Sequence, residues 1–221
     1  MFFQIAIDGP SGVGKSSVAR ELSKELSYLH INTGLIFRGL AWYILRKSKT
    51  VEDALLELTK FKLFRFERNK WFLDEKEIEL SEFSKGEVAK KASEIAKLRE
   101  IRAYVLEIER SIALSENVIM EGRDIGTQVF PNAILKIFLT ASKEVRVDRR
   151  YKELQNKNLL ENKSIEDIAK EITERDKQDS SRELDPLKKA EDAIEINTDN
   201  KTIEEIIALI KELLLNKINP V

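Results

Sequence analysis

Near its start the sequence has a glycine-rich segment of the type that binds the phosphates of a nucleotide. Residues 9–16 read GPSGVGKS and satisfy the pattern G-x-x-x-x-G-K-[ST]. An apolar run precedes the segment and a helical pattern follows it, so its amide groups are expected to curl around phosphate oxygens at a helix N-terminus. Lys15 is predicted to reach the β- and γ-phosphates, and Ser16 to bind Mg²⁺. The residues expected to bind the nucleotide are Gly9, Pro10, Ser11, Gly12, Val13, Gly14, Lys15, Ser16 and Ser17.

Two further segments carry side chains suited to a second anion. Thr33 and Arg38 lie at the start of a predicted helix, just after the first strand–helix unit. Arg123 and Asp124 directly follow the apolar run 118–120, which places them at the carboxyl edge of a sheet, where ligands bind. An enzyme that moves phosphate between two phosphorylated partners needs such a second set of residues far from the glycine-rich segment.

A third segment places charged residues at helical spacing. Arg175, Asp179 and Arg182 stand at positions i, i+4 and i+7, one face of a helix predicted to begin near Ile165. That face fits a helix that runs from the core into a polar cleft. It fits a ladder of surface ion pairs equally well.

The pattern of apolar residues predicts an α/β fold. Strands separated by helices imply a mostly parallel sheet with helices on both faces. The predicted strands are residues 2–7, 118–120, 135–139 and 193–196, and the predicted helices are residues 13–26, 84–114 and 202–216.

One segment departs from this alternation. Three short apolar runs at 61–66, 71–73 and 77–80 are separated by charged residues and predict a small antiparallel meander inserted into the α/β frame. Composition alone fits a surface sheet without a role equally well.

Composition excludes several other chemistries. The chain has no cysteine and one histidine, His30, which excludes disulfides and thiolate metal sites and argues against hydrolysis with a histidine base; we interpret His30 as structural. With 38 basic and 39 acidic residues the net charge is −1, so we expect no nucleic acid or membrane surface as partner. Because no run approaches the ~20 apolar residues of a membrane span and the start lacks signal-peptide features, we expect a cytoplasmic protein. We also expect a monomer, since no feature of the sequence requires an oligomer.

On these motifs the chain resembles the bacterial cytidylate kinases along almost its whole length. The stretch EGRDIGTQVFP at 121–131 is the most specific part, because other nucleoside monophosphate kinases share the phosphate-binding loop (P-loop). The meander matches the extra sheet of the bacterial family's acceptor-nucleotide region. The resemblance implies phosphoryl transfer from ATP to CMP or dCMP with Mg²⁺. Other segments that carry the resemblance are IDGPSG at 7–12, Thr33-Gly34 with Arg38, VAKKAS at 88–93, and Arg175-Asp176 with Asp179 and Arg182.

The resemblance also implies the roles of individual residues and regions. Lys15, Arg123, Asp124 and the lid arginines Arg146 and Arg150 would carry out the phosphoryl transfer. The implied regions are a P-loop core (1–30, 115–145 and 183–221), an acceptor-nucleotide region (31–114, with the inserted sheet at 61–80) and a mobile helical lid (146–165). The implied acceptor site consists of Thr33, Arg38, Ser93, Arg102, Arg123, Asp124, Arg175, Asp179 and Arg182.

The sequence departs from the family pattern at four places. Asn32 replaces an aspartate, Phe37 a tyrosine and Gln178 an arginine, and residues 83–85 read FSK in place of Ile-Arg-Thr. The departures concern contacts and affinity and leave the reaction class unchanged.

The implied acceptor site makes a geometric demand on the predicted helix 84–114. Ser93 and Arg102 are nine residues apart, which on one straight helix points them ~180° apart. If both contact the acceptor, the helix must break near Leu98.

Two other functions stay open at this point. One is a kinase for a different small acceptor, such as UMP, dTMP or a non-nucleotide alcohol. The other is a regulatory module that binds a nucleoside triphosphate in order to engage a protein or RNA partner.

Overall fold

The computed structural model describes residues 2–47, 49–61, 64–73, 76–156, 158–160 and 163–219, and its strands form two sheets. The strands are β1 (Gln4–Asp8), β2 (Leu29–Asn32), β3 (Phe64–Glu67), β4 (Lys70–Leu73), β5 (Lys76–Ile78), β6 (Val118–Gly122), β7 (Leu135–Thr140) and β8 (Ile194–Asn197). Five of them pair in parallel in the order β2-β6-β1-β7-β8, and the other three form an antiparallel sheet in the order β3-β4-β5.

The parallel sheet confirms the predicted strands, with ends that shift by at most two residues. The pattern missed β2, because this strand has four residues and only Ile31 among them is fully buried. Its register, with Asn32 opposite Glu121, places the start of the next helix at the carboxyl edge of the sheet.

Helices cover both faces of the parallel sheet, as predicted. They are α1 (Lys15–Leu26), α2 (Thr33–Lys47), α3 (Val51–Phe61), α4 (Gly86–Ile95), α5 (Arg99–Ile112), α6 (Lys143–Asn156), α7 (Ile165–Ser181) and α8 (Ile203–Ile218). Because side chains alternate along a strand, Ile5 and Ile7 pack with α1 and α8, whereas Ala6 packs with α2, α4 and α5 on the other face. None of the described helices has the length and apolarity of a bilayer span.

Local sequence signals set where several helices begin. Gly14 adopts a left-handed conformation (φ 93°) and ends the loop after β1, so that α1 starts at Lys15. Ser164 and Thr202 cap α7 and α8, and each forms a capping box with the acidic residue three positions later.

The predicted meander is present, with corrected limits. Phe61 ends helix α3 and is not part of a strand. Arg68 and Asn69, with φ values of 48° and 63°, form the two-residue turn between β3 and β4, and Glu67 pairs with Lys70 within the hairpin. The predicted third strand also ends earlier, because Leu80 begins a 3₁₀ turn. Lys62, Leu63, Asp74 and Glu75 of the predicted meander lie outside the described residues.

The meander is fixed to the rest of the protein at two points. The Trp71 ring is fully buried against Gly39 of α2. The Asn69 side chain pairs with the backbone of edge strand β2: its Oδ1 accepts from Asn32 N (2.9 Å), and its Nδ2 donates to His30 O (2.6 Å). The meander therefore packs against α2 and covers part of an exposed sheet edge.

The predicted single helix over 84–114 is wrong, and the predicted break near Leu98 is confirmed. Helix α4 ends at Ile95 and α5 begins at Arg99, with Leu98 extended between them (φ −84°, ψ 129°). Arg102 Nη1 donates to Ala96 O (3.4 Å), so a cation satisfies a carbonyl at the end of α4.

Helix α7 begins at Ile165 as predicted but does not reach Arg182. It ends at Ser181, and Arg182 is extended (φ −64°, ψ 144°). Beyond this point Asp185 is left-handed (φ 46°), and Pro186, which lacks an amide hydrogen, excludes a helix that would run through it. The prediction of a helical face through Arg182 is therefore wrong, whereas Arg175 and Asp179 do lie on α7.

Candidate active site

The glycine-rich loop joins the end of β1 to the start of α1. Gly9, Gly12 and Gly14 all have positive φ values (147°, 79° and 93°), which residues other than glycine rarely adopt. Lys15 folds back over the loop, where its Nζ donates to Gly9 O (2.8 Å) and Pro10 O (2.7 Å). Burial lowers the pKa of Lys15 well below its usual value, and the nearby Arg123 lowers it further.

Asp8 ends β1 and holds the loop that follows β6. Its two oxygens accept from Ile125 N (2.9 Å) and Gly126 N (2.8 Å). Burial raises the pKa of Asp8 to about 6, although the two amide hydrogen bonds act in the opposite direction.

Glu121 of β6 connects the P-loop to the neighbouring strand β2. Its Oε2 accepts from Ser16 Oγ (2.8 Å), and its Oε1 lies 3.0 Å from Nε2 of His30. Its backbone carbonyl accepts from Thr33 Oγ1 (2.9 Å). The Ser16 hydroxyl and the buried Glu121 carboxylate are hard oxygen ligands, the type of ligand that Mg²⁺ prefers. Within the described ranges no three acidic or histidine side chains cluster as metal ligands.

Asp124 is the centre of a buried ion-pair network. Its carboxylate accepts from Arg102 Nη2 and from Arg182 Nη2 (3.3 Å). Arg102 also pairs through Nε with Asp185. Burial raises the pKa of Asp124, and the two guanidinium groups oppose this effect.

A second arginine cluster lies between this network and the P-loop. Arg123 Nε donates to Asp179 Oδ2 (2.7 Å), and Arg175 Nε lies 4.0 Å from the same oxygen. Burial raises the pKa of Asp179, but the charges of Arg123 and Arg175 outweigh burial and hold this pKa below its usual value. Desolvation, followed by the charges of Arg123 and then Arg38, lowers the pKa of Arg175 to about 10. So many cations in one cleft create a strong local site for anions on a nearly neutral chain.

The predicted lid arginines lie on α6, which pairs with α7. Arg146 Nη1 donates to Ser11 O (3.1 Å) and to Asp176 of α7, whose other oxygen accepts from Ser11 N (3.4 Å). Both backbone polar groups of this P-loop residue are therefore bound by the α6–α7 pair. Arg150 donates to Glu153 (2.8 Å) and lies near enough to Arg38 to lower its pKa.

Two departures from the family pattern lie within the candidate site. Ser93 Oγ donates to Oε1 of Gln178 (2.9 Å), which joins α4 to α7. The Arg102 guanidinium lies 5.9 Å from the ring centre of Phe37. The break near Leu98 thus lets Ser93 and Arg102 face the same side, one toward α7 and the other toward the segment after it.

The structure joins several of the predicted site residues by direct contacts: Arg123 and Arg175 lie at Asp179, Arg102 and Arg182 bind Asp124, and Arg146 binds Ser11 of the P-loop. Arg38 instead donates to Phe83 O (3.4 Å). Sequence reasoning gave no role to Asp8, Glu121 or Asp176 and treated His30 as structural only. A signal existed for Asp8 and Glu121, because both are charged residues at the carboxyl ends of buried strands. Asp176 and His30 contact the site through partners that are distant in sequence, which no local pattern shows.

Comparisons of the sequence with known proteins show its family. The family model described as Cytidylate kinase matches residues 5–216. A cytidylate kinase from Alkaliphilus oremlandii is 43% identical over 215 residues, covering 96% of this chain and 98% of that one. A cytidylate kinase from Thermotoga sp. (strain RQ2) is 40% identical over 222 residues, covering 99% of this chain and all of that one.

A comparison of structures supports the fold alone. A crystal structure of an uncharacterized protein from Eubacterium ventriosum matches with a TM-score of 0.53 at 16% identity, covering 97% of this chain and 98% of that one. The family match and the relatives, which span nearly the whole chain, show more than the fold. This chain belongs to the cytidylate kinase family.

Proposed function

We propose that the protein transfers the γ-phosphoryl group of ATP to CMP or dCMP, giving ADP and CDP or dCDP. The observation that carries this proposal is the position of the arginine cluster beside the P-loop. Arg123 and Arg175 lie close enough to Lys15 to lower its pKa. A donor triphosphate in the loop and an acceptor phosphate among the arginines would therefore meet at Lys15.

The chain's own carboxylates bind these arginines in the absence of substrate. Asp179 binds Arg123 and lies near Arg175, and Asp176 binds Arg146. A phosphate is a stronger competitor for a guanidinium fork than one carboxylate oxygen, because it offers several acceptor oxygens and more charge. Substrate phosphates would thus take over cations that are already ordered, which lowers the entropy lost on binding.

Phosphoryl transfer requires alignment and charge stabilisation from the protein and little covalent chemistry. Lys15 and the loop amides would bind the donor phosphates. Arg123, Arg146 and Arg150 would stabilise the charge that moves between donor and acceptor. Ser16 and Glu121 would hold Mg²⁺, which, when bound, neutralises charge on the β- and γ-phosphate oxygens.

The network around Asp124 supplies groups suited to a pyrimidine with an exocyclic amine. Cytosine presents an amino donor beside acceptor atoms, which a carboxylate and a guanidinium such as Asp124 and Arg102 can bind together. Ser93, which contacts Gln178 of α7, would add a hydroxyl. We propose that these three residues read the cytosine, while Thr33, Arg38, Arg175, Asp179 and Arg182 complete the acceptor site.

We propose that the chain has the regions 1–30, 115–145 and 183–221 as core, 31–114 for the acceptor and 146–165 as the lid, which runs from α6 to the start of α7. Lys157, Glu161 and Asn162 of the proposed lid lie outside the described residues. A small apolar core of Val147, Leu154, Ile168 and Ile172 holds the two helices together. Closure of the lid over ATP would exclude water and prevent hydrolysis.

A side-by-side assay of ADP release tests the proposed function. The protein, ATP and Mg²⁺ would be combined with CMP, dCMP, UMP or dTMP. We expect the highest kcat/KM with CMP or dCMP. Preference for another acceptor would show a different kinase, and slow ADP release that no acceptor stimulates would show a nucleotide-binding module.

Two substitutions test the assigned residues. Lys15→Ala and Arg123→Ala each remove a cation at the reacting phosphates, so kcat should fall by a factor on the order of 100 or more. Lys24→Ala and Arg20→Ala are matched controls, because both side chains are exposed and, in the part of the chain that the structure describes, form ion pairs with Glu21 alone. Near-normal turnover in both active-site variants would contradict the assignment.

A further inference from the structure

A pocket of about 190 Å³ lies beside the acceptor network. Arg102 and Glu109 of α5 line it, together with Phe37, Asp124 and Asp185. It is large enough to hold several water molecules. The pocket therefore places a third acidic residue, Glu109, next to the two aspartates that bind Arg102.

Glu109 is a buried residue, 5% exposed, and none of the hydrogen bonds or ion pairs among the described residues involves its carboxyl group. It follows Arg102 by seven residues, two turns of α5, so the two side chains point to the same face of the helix. A buried carboxylate without a partner is strongly unfavourable, whereas the neutral acid is tolerated in a pocket that admits water.

The charges around the pocket are already balanced without Glu109. Arg102 binds Asp124 and Asp185, and Arg182 binds Asp124 and the backbone carbonyl of Asp185 (2.6 Å). Arg99 lies at the rim with its side chain exposed to solvent. Burial, and then the nearby Asp124, raises the pKa of Glu109 well above its usual value, with Asp8 and Asp185 acting in the same direction and Arg102 against.

We propose that Glu109 is a positioning residue for the acceptor site, which acts through Arg102. When Glu109 is a neutral acid, the Arg102 guanidinium binds Asp124 and Asp185. When Glu109 is a carboxylate, it competes with them for the guanidinium and moves the Arg102 side chain into the pocket, away from the acceptor. The inference rests on the proposed function, because it assumes that Arg102 contacts the acceptor nucleotide.

The proposal predicts how the acceptor KM depends on pH. Steady-state kinetics with CMP would be measured from about pH 6 to about pH 9 for the unaltered protein and for Glu109→Gln, which cannot ionise. We expect the KM of the unaltered protein to rise by about tenfold as pH passes the raised folded pKa of Glu109, the effect of losing one charge-assisted hydrogen bond, with a smaller change in kcat. The rise should be absent in Glu109→Gln. Glu107→Gln, an exposed position on the same helix, should retain it.

Thermal unfolding tests the protonation of Glu109 without reference to activity. Because its pKa is higher in the folded than in the unfolded protein, ionisation opposes folding, and this effect grows as pH rises from the unfolded to the folded pKa. The Tm of Glu109→Gln should therefore exceed that of the unaltered protein by a margin that widens with pH. A margin that does not change with pH would overturn the proposal.

The kinetic outcomes separate the two proposals. An alkaline rise in KM that persists in Glu109→Gln, or no rise in any of the proteins, would overturn the role of Glu109 while leaving CMP as the acceptor. Failure of the unaltered protein to phosphorylate CMP would instead overturn the proposed function, and with it the role of Glu109.

Discussion

The substitution Gly39→Ala tests how the meander is fixed to helix α2. Gly39 lies inside α2, where alanine normally favours the helix by about 1 kcal/mol. Here the new methyl group would lie 2.1 Å from Trp71 Nε1, on a fully buried ring. The ring must move, which strains the core by about 1–3 kcal/mol and weakens the 2.8 Å bond from Nε1 to Leu35 O by about 1–3 kcal/mol more. The net expected loss is about 3 kcal/mol.

Denaturant and thermal unfolding measure this effect directly. A loss of about 3 kcal/mol corresponds to a fall in Tm of roughly 6–12 °C for a chain of this size. Gly86→Ala is the matched control, because Gly86 begins α4 and an added Cβ there meets nothing within 4 Å. That variant should be equal in stability or up to about 1 kcal/mol more stable. If Gly39→Ala also gained stability, the packing of Trp71 on α2 would be refuted.

Two further predictions concern the sheet edge and a buried acid. Asn69→Ala should lose about 1–3 kcal/mol of unfolding free energy, because it leaves two backbone groups of β2 unpaired. Arg68→Ala, also at positive φ but with a 3.3 Å ion pair to half-buried Glu116, should lose clearly less. The pKa of Asp8 is about 6 in the folded protein against 3.8 in the unfolded chain. Between these values the folded protein retains a proton that the unfolded chain releases, so the free energy of unfolding falls by about 3 kcal/mol as pH rises from about 4 to about 6. Asp8→Asn should lack that part of the fall in urea titrations, and curves that stay parallel across this window would rule out the raised pKa.

The parts of the site that follow from adjacent residues were predictable from sequence. The P-loop lies between a strand and a helix, and its spacing alone indicates where phosphate binds. The break near Leu98 was predicted because the family resemblance implies that Ser93 and Arg102 both contact the acceptor, and their spacing would point them apart on one straight helix. No proline or glycine marks this break.

The parts that depend on contacts between distant segments were not predictable. Strand β2 is too short for a clear pattern, and it is stabilised by pairing with β6 and by Asn69. The role of Glu121 arises because β2 and α1 bring His30 and Ser16 to its two oxygens. Arg182 reaches Asp124 from an extended segment, so the helical spacing that first drew attention to it was not the cause of its position.

A ligand that occupies both halves of the cleft tests the central claim most directly. Adenosine and cytidine joined through their 5′ positions by a polyphosphate bridge would be titrated calorimetrically against the protein, beside ATP and CMP separately. If one cleft holds both polyanions end to end, the second half binds at the effective concentration set by the first, and the joined ligand should bind at least about 100 times more tightly than ATP alone. A joined ligand that binds no more tightly than ATP, in a protein that still binds CMP, would contradict the account.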